Sequence, residues 1–187
     1  MPNHPNILLP NALSLEEIHQ HYNLAENALS LYYSDKNPDK GTLFLGLTSS
    51  EVDSLLEHEI LELEKSYSMS VLASIEASFQ IDCACRVKAR LKDDVSRRFR
   101  HIHKQKSKGN SISSIRMSLE RDILQTWKEH ERRVKTIISE FIAALSYRHW
   151  LAHGRYWTEN IGRPYDYGTL YSLAERIQES IDLKRSA

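Results

Sequence analysis

A chain of 187 residues is long enough to bury one substantial core. Its 25 basic and 25 acidic residues cancel, and six glycines with five prolines are too few for a collagen-like, low-complexity or turn-dense β protein. Two cysteines, Cys83 and Cys85, cannot form a disulfide framework, and no apolar run approaches the roughly 20 residues of a membrane span. With a start at Met1 that lacks a charged-then-apolar leader pattern, the expectation is a cytoplasmic protein without membrane association.

Residues 1–13, with prolines at positions 2, 5 and 10, read as an extended arm. Ser14 and Glu17 form a capping box that opens a helix to about Tyr33, and Ser34 to Gly41 is a loop by composition. Thr42 to Leu47 is a short apolar piece, either extended or packed as cover. A second capping box, Thr48 with Glu51, precedes Val52, Leu56, Ile60, Leu63, Tyr67, Val71, Ile75 and Phe79 at helical spacing with no Gly or Pro among them. This predicts one long helix running into the basic segment, broken near Asp93 and Asp94.

Lys106 to Ser114 is a polar linker. A helix around Leu119–Trp127 follows, then one from about Arg132 to His153 with Gly154 as its C-cap. Residues 162–168 form a loop before a last helix from Thr169 to about Leu183. The order predicts an all-α, up-and-down helical bundle with long antiparallel helices. Residues 1–47 are read as an N-terminal arm and helix, and 48–187 as the helical domain.

The zero net charge hides an asymmetry. Residues 1–80 hold 12 Asp/Glu against 3 Lys/Arg, and residues 81–187 hold 22 Lys/Arg against 13 Asp/Glu. The densest basic stretch, Arg86 to Lys108, includes Arg97, Arg98 and Arg100. Such a stripe can track a phosphate backbone through counterion release. It can equally be a solvated helix face that pairs with the acidic first half, within the fold or across a dimer.

The segment from Ser146 to Trp157 concentrates the chemistry. Val134, Ile138, Phe141 and Leu145 make an apolar stripe, and Arg148 falls near its middle with His149 and His153 one turn apart beside it. An arginine on a core-facing stripe is costly unless a carboxylate or an anionic ligand meets it. Glu76 and Asp82 are the carboxylates a structural bridge would use. The histidine pair has the spacing of a metal clasp, but a zinc or iron site needs further ligands, and only His101, His103 and Glu76 are candidates, so neither a metal nor a cofactor is expected. Cys83 and Cys85 point to different helix faces and read as small buried residues. Trp150 reads as packing; Tyr156 and Trp157 can pack or stack on bases, and Arg155 can contact phosphate or cap the last carbonyls.

Arg148, His149 and His153 near the end of a bundle helix, followed by Gly154, Arg155, Tyr156 and Trp157, resemble the signature of the HEPN superfamily of small all-α domains. Leu72 to Phe79, with Glu76 in an apolar helix, and the helix order over residues 50–183 are similar to that superfamily too. The resemblance implies a metal-independent endoribonuclease in which motifs from two protomers meet in a homodimer cleft. Arg148 would stabilise the phosphorane, His153 would carry the 2′-OH proton and His149 would orient the phosphate, with Arg155, Arg97, Arg98 and Arg100 as RNA contacts. It also implies a toxin or phage-defence effector restrained by an antitoxin-like partner. The chemistry is coherent, because RNA brings its own nucleophile, an imidazole moves protons at neutral pH and a guanidinium holds developing oxyanions. Two other readings use the same residues: a non-catalytic HEPN-type module for nucleotide or RNA binding or assembly, and a helical interaction protein with Arg148 in a structural bridge.

Overall fold

The computed structural model describes residues 13–107, 117–155 and 164–185. Among them every regular element is helical: α1 Leu15–Tyr33, α2 Lys40–Leu43, α3 Ser49–Lys88, α4 Asp94–Ser107, a π-helical turn Leu119–Leu124, α5 Gln125–His130, a short 3-10 turn Arg132–Val134, α6 Lys135–Ala152 and α7 Tyr167–Ser180. None of these helices is long and apolar enough to cross a membrane.

The two capping boxes set the frame. Ser14 Oγ accepts the Glu17 N–H at 3.1 Å while the Glu17 carboxylate takes the Ser14 N–H at 2.7 Å. Thr48 and Glu51 repeat the arrangement at the start of α3. These reciprocal bonds satisfy donors that a helix start otherwise leaves open. The apolar run then carries α3 for 40 residues, about 60 Å.

The core gathers around the second half of α3. Val71, Leu72 and Phe79 are wholly buried against Phe99, Ile123, Leu124, Ile138, Phe141 and Leu170. Phe79 and Phe141 stack at 5.7 Å. The first half of α3 is covered less fully, so Leu56, Ile60 and Leu63 are only half-buried. Leu24, Leu31, Leu43, Leu45, Leu55 and Leu61 at that end are exposed.

The expected break falls between Lys88 and Asp94. Arg90 turns left-handed at φ 50°, a region most side chains avoid. The Asp93 carboxylate accepts the Ser96 N–H at 2.9 Å to restart the chain as α4. Four boundaries differ from the sequence reading. Lys40 and Gly41 of the expected loop join Thr42 and Leu43 of the piece expected to be extended or packed as cover in one helical turn, α2, and Lys106 and Ser107 are still helical. Asp166 caps the Thr169 N–H at 2.6 Å, so α7 opens at Tyr167 within the expected loop. It closes at Ser180, which frees residues 181–185 to run back to α3. The rest of the expected linker and nearly all of the N-terminal arm lie outside the described residues.

That return is anchored on a buried charge. Arg86 Nε donates to Asp82 at 2.6 Å, Nη1 to Asp93 and Ser96 at 3.2 and 3.3 Å, and Nη2 to the Asp182 carbonyl at 2.8 Å. The guanidinium lies 4.9 Å from the Trp127 ring centroid. Asp82 also accepts the Lys184 N–H at 2.8 Å. Burial pushes the Asp82 carboxyl up, while the Lys184 N–H and Arg86 pull it back. Cys83 and Cys85 are buried free thiols, and burial pushes Cys83 up to about 12, which keeps it an unreactive thiol.

Candidate functional site

α3 and α6 run antiparallel, joined by two ion pairs in opposite chain order: Glu76 with Arg148 and Glu62 with Arg155. Arg148 continues the stripe of Val134, Ile138, Phe141 and Leu145, all buried, but it sits where the core reaches the surface. Its Nη2 is 3.1 Å from Glu76 Oε2, with the two side chains 33% and 27% exposed. Its Nε is buried and has no hydrogen-bond acceptor among the described residues. The guanidinium is therefore only partly satisfied.

Arg148 opens onto a cavity of about 410 Å³. α3 contributes Glu76, α6 contributes Leu145, Arg148 and His149, and the rest of the lining is Ser118, Leu119, Glu120 and Arg121 at the π-helical turn. His153 stands one turn beyond His149, their ring centroids 4.2 Å apart and the planes tilted by 54°. His149 lines the cavity; His153 is exposed beside it, outside the lining.

The end of α6 fixes this arrangement. The His153 N–H still bonds the His149 carbonyl at 3.1 Å, while the Arg155 N–H reaches back to Trp150 at 3.2 Å. Gly154 at φ +78° makes that reversal possible, so His153 is the cap and Gly154 the residue after it. Arg155 is itself left-handed at φ 56°, which brings its Nη1 to 2.7 Å from Glu62. Lys65 and then Arg155 hold the Glu62 carboxyl below its usual range. Trp150 is buried and stacks on Tyr147 at 5.7 Å, so it packs. Tyr156 and Trp157 lie outside the described residues.

The structure brings together Arg148, His149, His153 and Glu76. It separates the others. Asp82 is fully buried in the Arg86 cluster and does not partner Arg148. Six residues beyond Glu76, it sits about 9 Å further along α3 and on another face. Arg97 pairs with Asp94 at 3.2 Å, Arg98 is exposed, and Arg100 closes the α3–α4 turn by donating to the Leu91 carbonyl. None of these three borders the Arg148 cavity. Arg155 is engaged by Glu62.

A second cavity, about 500 Å³, lies against Arg86, Asp93, Trp127, His130, Arg133 and Asp182. The Arg86 guanidinium already bonds through all three nitrogens, which commits four of its five N–H donors and leaves it little to offer a ligand. The partly satisfied Arg148 makes its own cavity the stronger candidate. Sequence reasoning missed the Ser118–Arg121 wall. A serine ahead of an acid-rich turn marks a helix start, yet nothing in one dimension places that start across from α6.

Among the described residues, no group of three or more His, Cys, Asp or Glu is placed to hold a metal ion. No family model matches this chain, and no curated protein or solved structure does so either.

Proposed function

We propose that this protein is a metal-independent endoribonuclease of HEPN type, acting as a homodimer. The observation that carries the reading is Arg148: a guanidinium on a cavity wall, oriented by Glu76, with one buried donor lacking an acceptor and two imidazoles beside it. A buried donor left open costs about 1–3 kcal/mol, and a phosphate oxygen in the cavity is the partner it lacks. In the reaction the substrate 2′-OH attacks the adjacent phosphorus as a histidine takes its proton. Arg148 stabilises the phosphorane oxygens, and the departing 5′-oxygen receives a proton. The products are a 2′,3′-cyclic phosphate and a 5′-hydroxyl, with no outside nucleophile required.

The dimer belongs to the proposal because one cavity presents one Arg148, and because Leu24 and Leu31 on α1 and Leu55 and Leu61 on α3 are exposed. A second copy would remove such apolar surface from water. The resemblance adds a role as a toxin or phage-defence effector held by an antitoxin-like protein.

One observation favours a second reading, a non-catalytic module of the same type that binds RNA or nucleotide: His153 stands outside the cavity lining. Incubating the purified chain with RNA in EDTA and analysing the product ends separates the two. Cyclic-phosphate ends support the nuclease. Intact RNA that stays bound supports the module, and RNA neither bound nor cut refutes both.

A further inference from the structure

Each arginine at the end of α6 has a carboxylate partner, Glu76 for Arg148 and Glu62 for Arg155. The cavity that Arg148 lines holds a second arginine. Arg121 lines it from the π-helical turn, is exposed, and forms no ion pair among the described residues.

The backbone beneath Arg121 is unusual and firmly anchored. The Ile123 N–H bonds the Ser118 carbonyl at 3.2 Å, and the Gln125 N–H bonds the Glu120 carbonyl. Both bonds span five residues, the wide π-helical register. Ile123 and Leu124 are completely buried on the inner side. Asp122 accepts the Ser118 N–H at 2.6 Å, and its backbone carbonyl accepts the Thr126 hydroxyl at 2.6 Å. Lys106 pairs with the Asp122 carboxylate from α4. A wide turn inserted in a helix shifts the residues ahead of it out of the following register, and such turns recur at functional sites. Here Glu120 and Arg121 line the cavity while Ile123 and Leu124 stay in the core.

We infer that Arg121 is a second phosphate-holding residue, gripping the RNA backbone from the π-helical turn while Arg148 does so from α6. The inference rests on the reading of the cavity as an RNA site. Glu76 and Glu120 balance the two arginines in the lining, so the net field of the cavity is weak and selectivity comes from placement. Glu76 is engaged by Arg148, whereas Arg121 forms no ion pair with Glu120 or any other described residue. A phosphodiester between the two guanidiniums would be held on two sides, the arrangement that fixes a reacting group for in-line attack.

The test uses a 2′-O-methyl RNA oligonucleotide, which binds but cannot be cut, titrated at several salt concentrations. Wild type, Arg121→Ala, Arg121→Lys and Arg148→Ala are compared, with Tm as a folding control. The exposed Arg121 side chain can be removed without a change in Tm. Arg121→Ala and Arg148→Ala should each lower the salt slope by about 0.7; Arg121→Lys should restore it. On cleavable RNA, Arg121→Ala should raise KM more than it lowers kcat. If Arg148→Ala shifts the slope and Arg121→Ala does not, Arg121 has no such role and the RNA reading stands. If wild type fails to bind, or neither alanine variant changes the slope, the RNA reading falls and this inference falls with it.

Discussion

Asp82 and Arg86 stand one helical turn apart on α3, and their 2.6 Å ion pair ties the end of the chain to its longest helix. Asp82 holds the Lys184 N–H and Arg86 holds the Asp182 carbonyl, so the pair joins α3, the start of α4 and the C-terminal segment. Both side chains are nearly inaccessible, at 0% and 6%. Desolvating two charges offsets most of their attraction, whereas removing one partner strands the other.

Arg86→Ala should therefore cost about 3–5 kcal/mol in urea unfolding, and Asp82→Ala a similar amount. The double variant Asp82→Leu with Arg86→Met should recover much of that loss, because neither charge is left behind. A double variant no more stable than either single would overturn this and make the buried pair net stabilising over the apolar replacement.

The capping boxes give the fold a defined acid sensitivity. The Ser14 hydroxyl and then its N–H hold Glu17 below its ordinary 4.5. The Thr48 N–H and then its hydroxyl do the same for Glu51. A depressed folded-state value means these carboxylates add stability above the unfolded value, and that this is lost as pH falls through the folded value. Wild type should lose Tm as pH drops below 4.5, and Glu17→Gln or Glu51→Gln should flatten that decline. An unchanged slope in both variants would mean that other carboxylates set the acid limb.

Both boxes were legible because they are local: Ser14 with Glu17 and Thr48 with Glu51 declare themselves within four residues. The break in the long helix was legible at Asp93 for the same reason. The partner of Arg148 was legible only to a choice between Glu76 and Asp82. The signal that resolves it is the i, i+4 spacing of Asp82 and Arg86, which commits Asp82 to a neighbour on its own helix. The π-helical wall was not legible. Its register depends on what Ile123, Leu124 and Asp122 meet in three dimensions, and Arg121 inherits its position from that.

Arg148 separates stability from function. Its bridge to Glu76 is about one-third exposed on both sides, and such pairs contribute roughly 0–1 kcal/mol. Arg148→Ala should thus unfold within about 1 kcal/mol of wild type while losing RNA cleavage. Glu76→Gln should keep the fold and lower activity less, since it only orients the guanidinium. An Arg148→Ala protein destabilised by several kcal/mol with cleavage intact would make the bridge purely structural.

The two histidines should divide the work. His149 shares the cavity with Arg148, while His153 stands beside it at 4.2 Å between ring centroids, on the last turn of α6. His149→Ala should mainly raise KM, because it removes a residue of the cavity lining where the proposed phosphate would sit. His153→Ala should mainly lower kcat, by about 10²–10⁴, if its imidazole swings in to carry the 2′-OH proton once RNA is seated. Under either change the products should still end in 2′,3′-cyclic phosphate, and EDTA should leave the wild-type rate untouched. Activity that vanishes with EDTA and returns with zinc or manganese would assign the pair to a metal instead. A fully active His153→Ala enzyme would transfer the proton-carrying role to His149, and a fully active double variant would remove the histidines from the chemistry altogether.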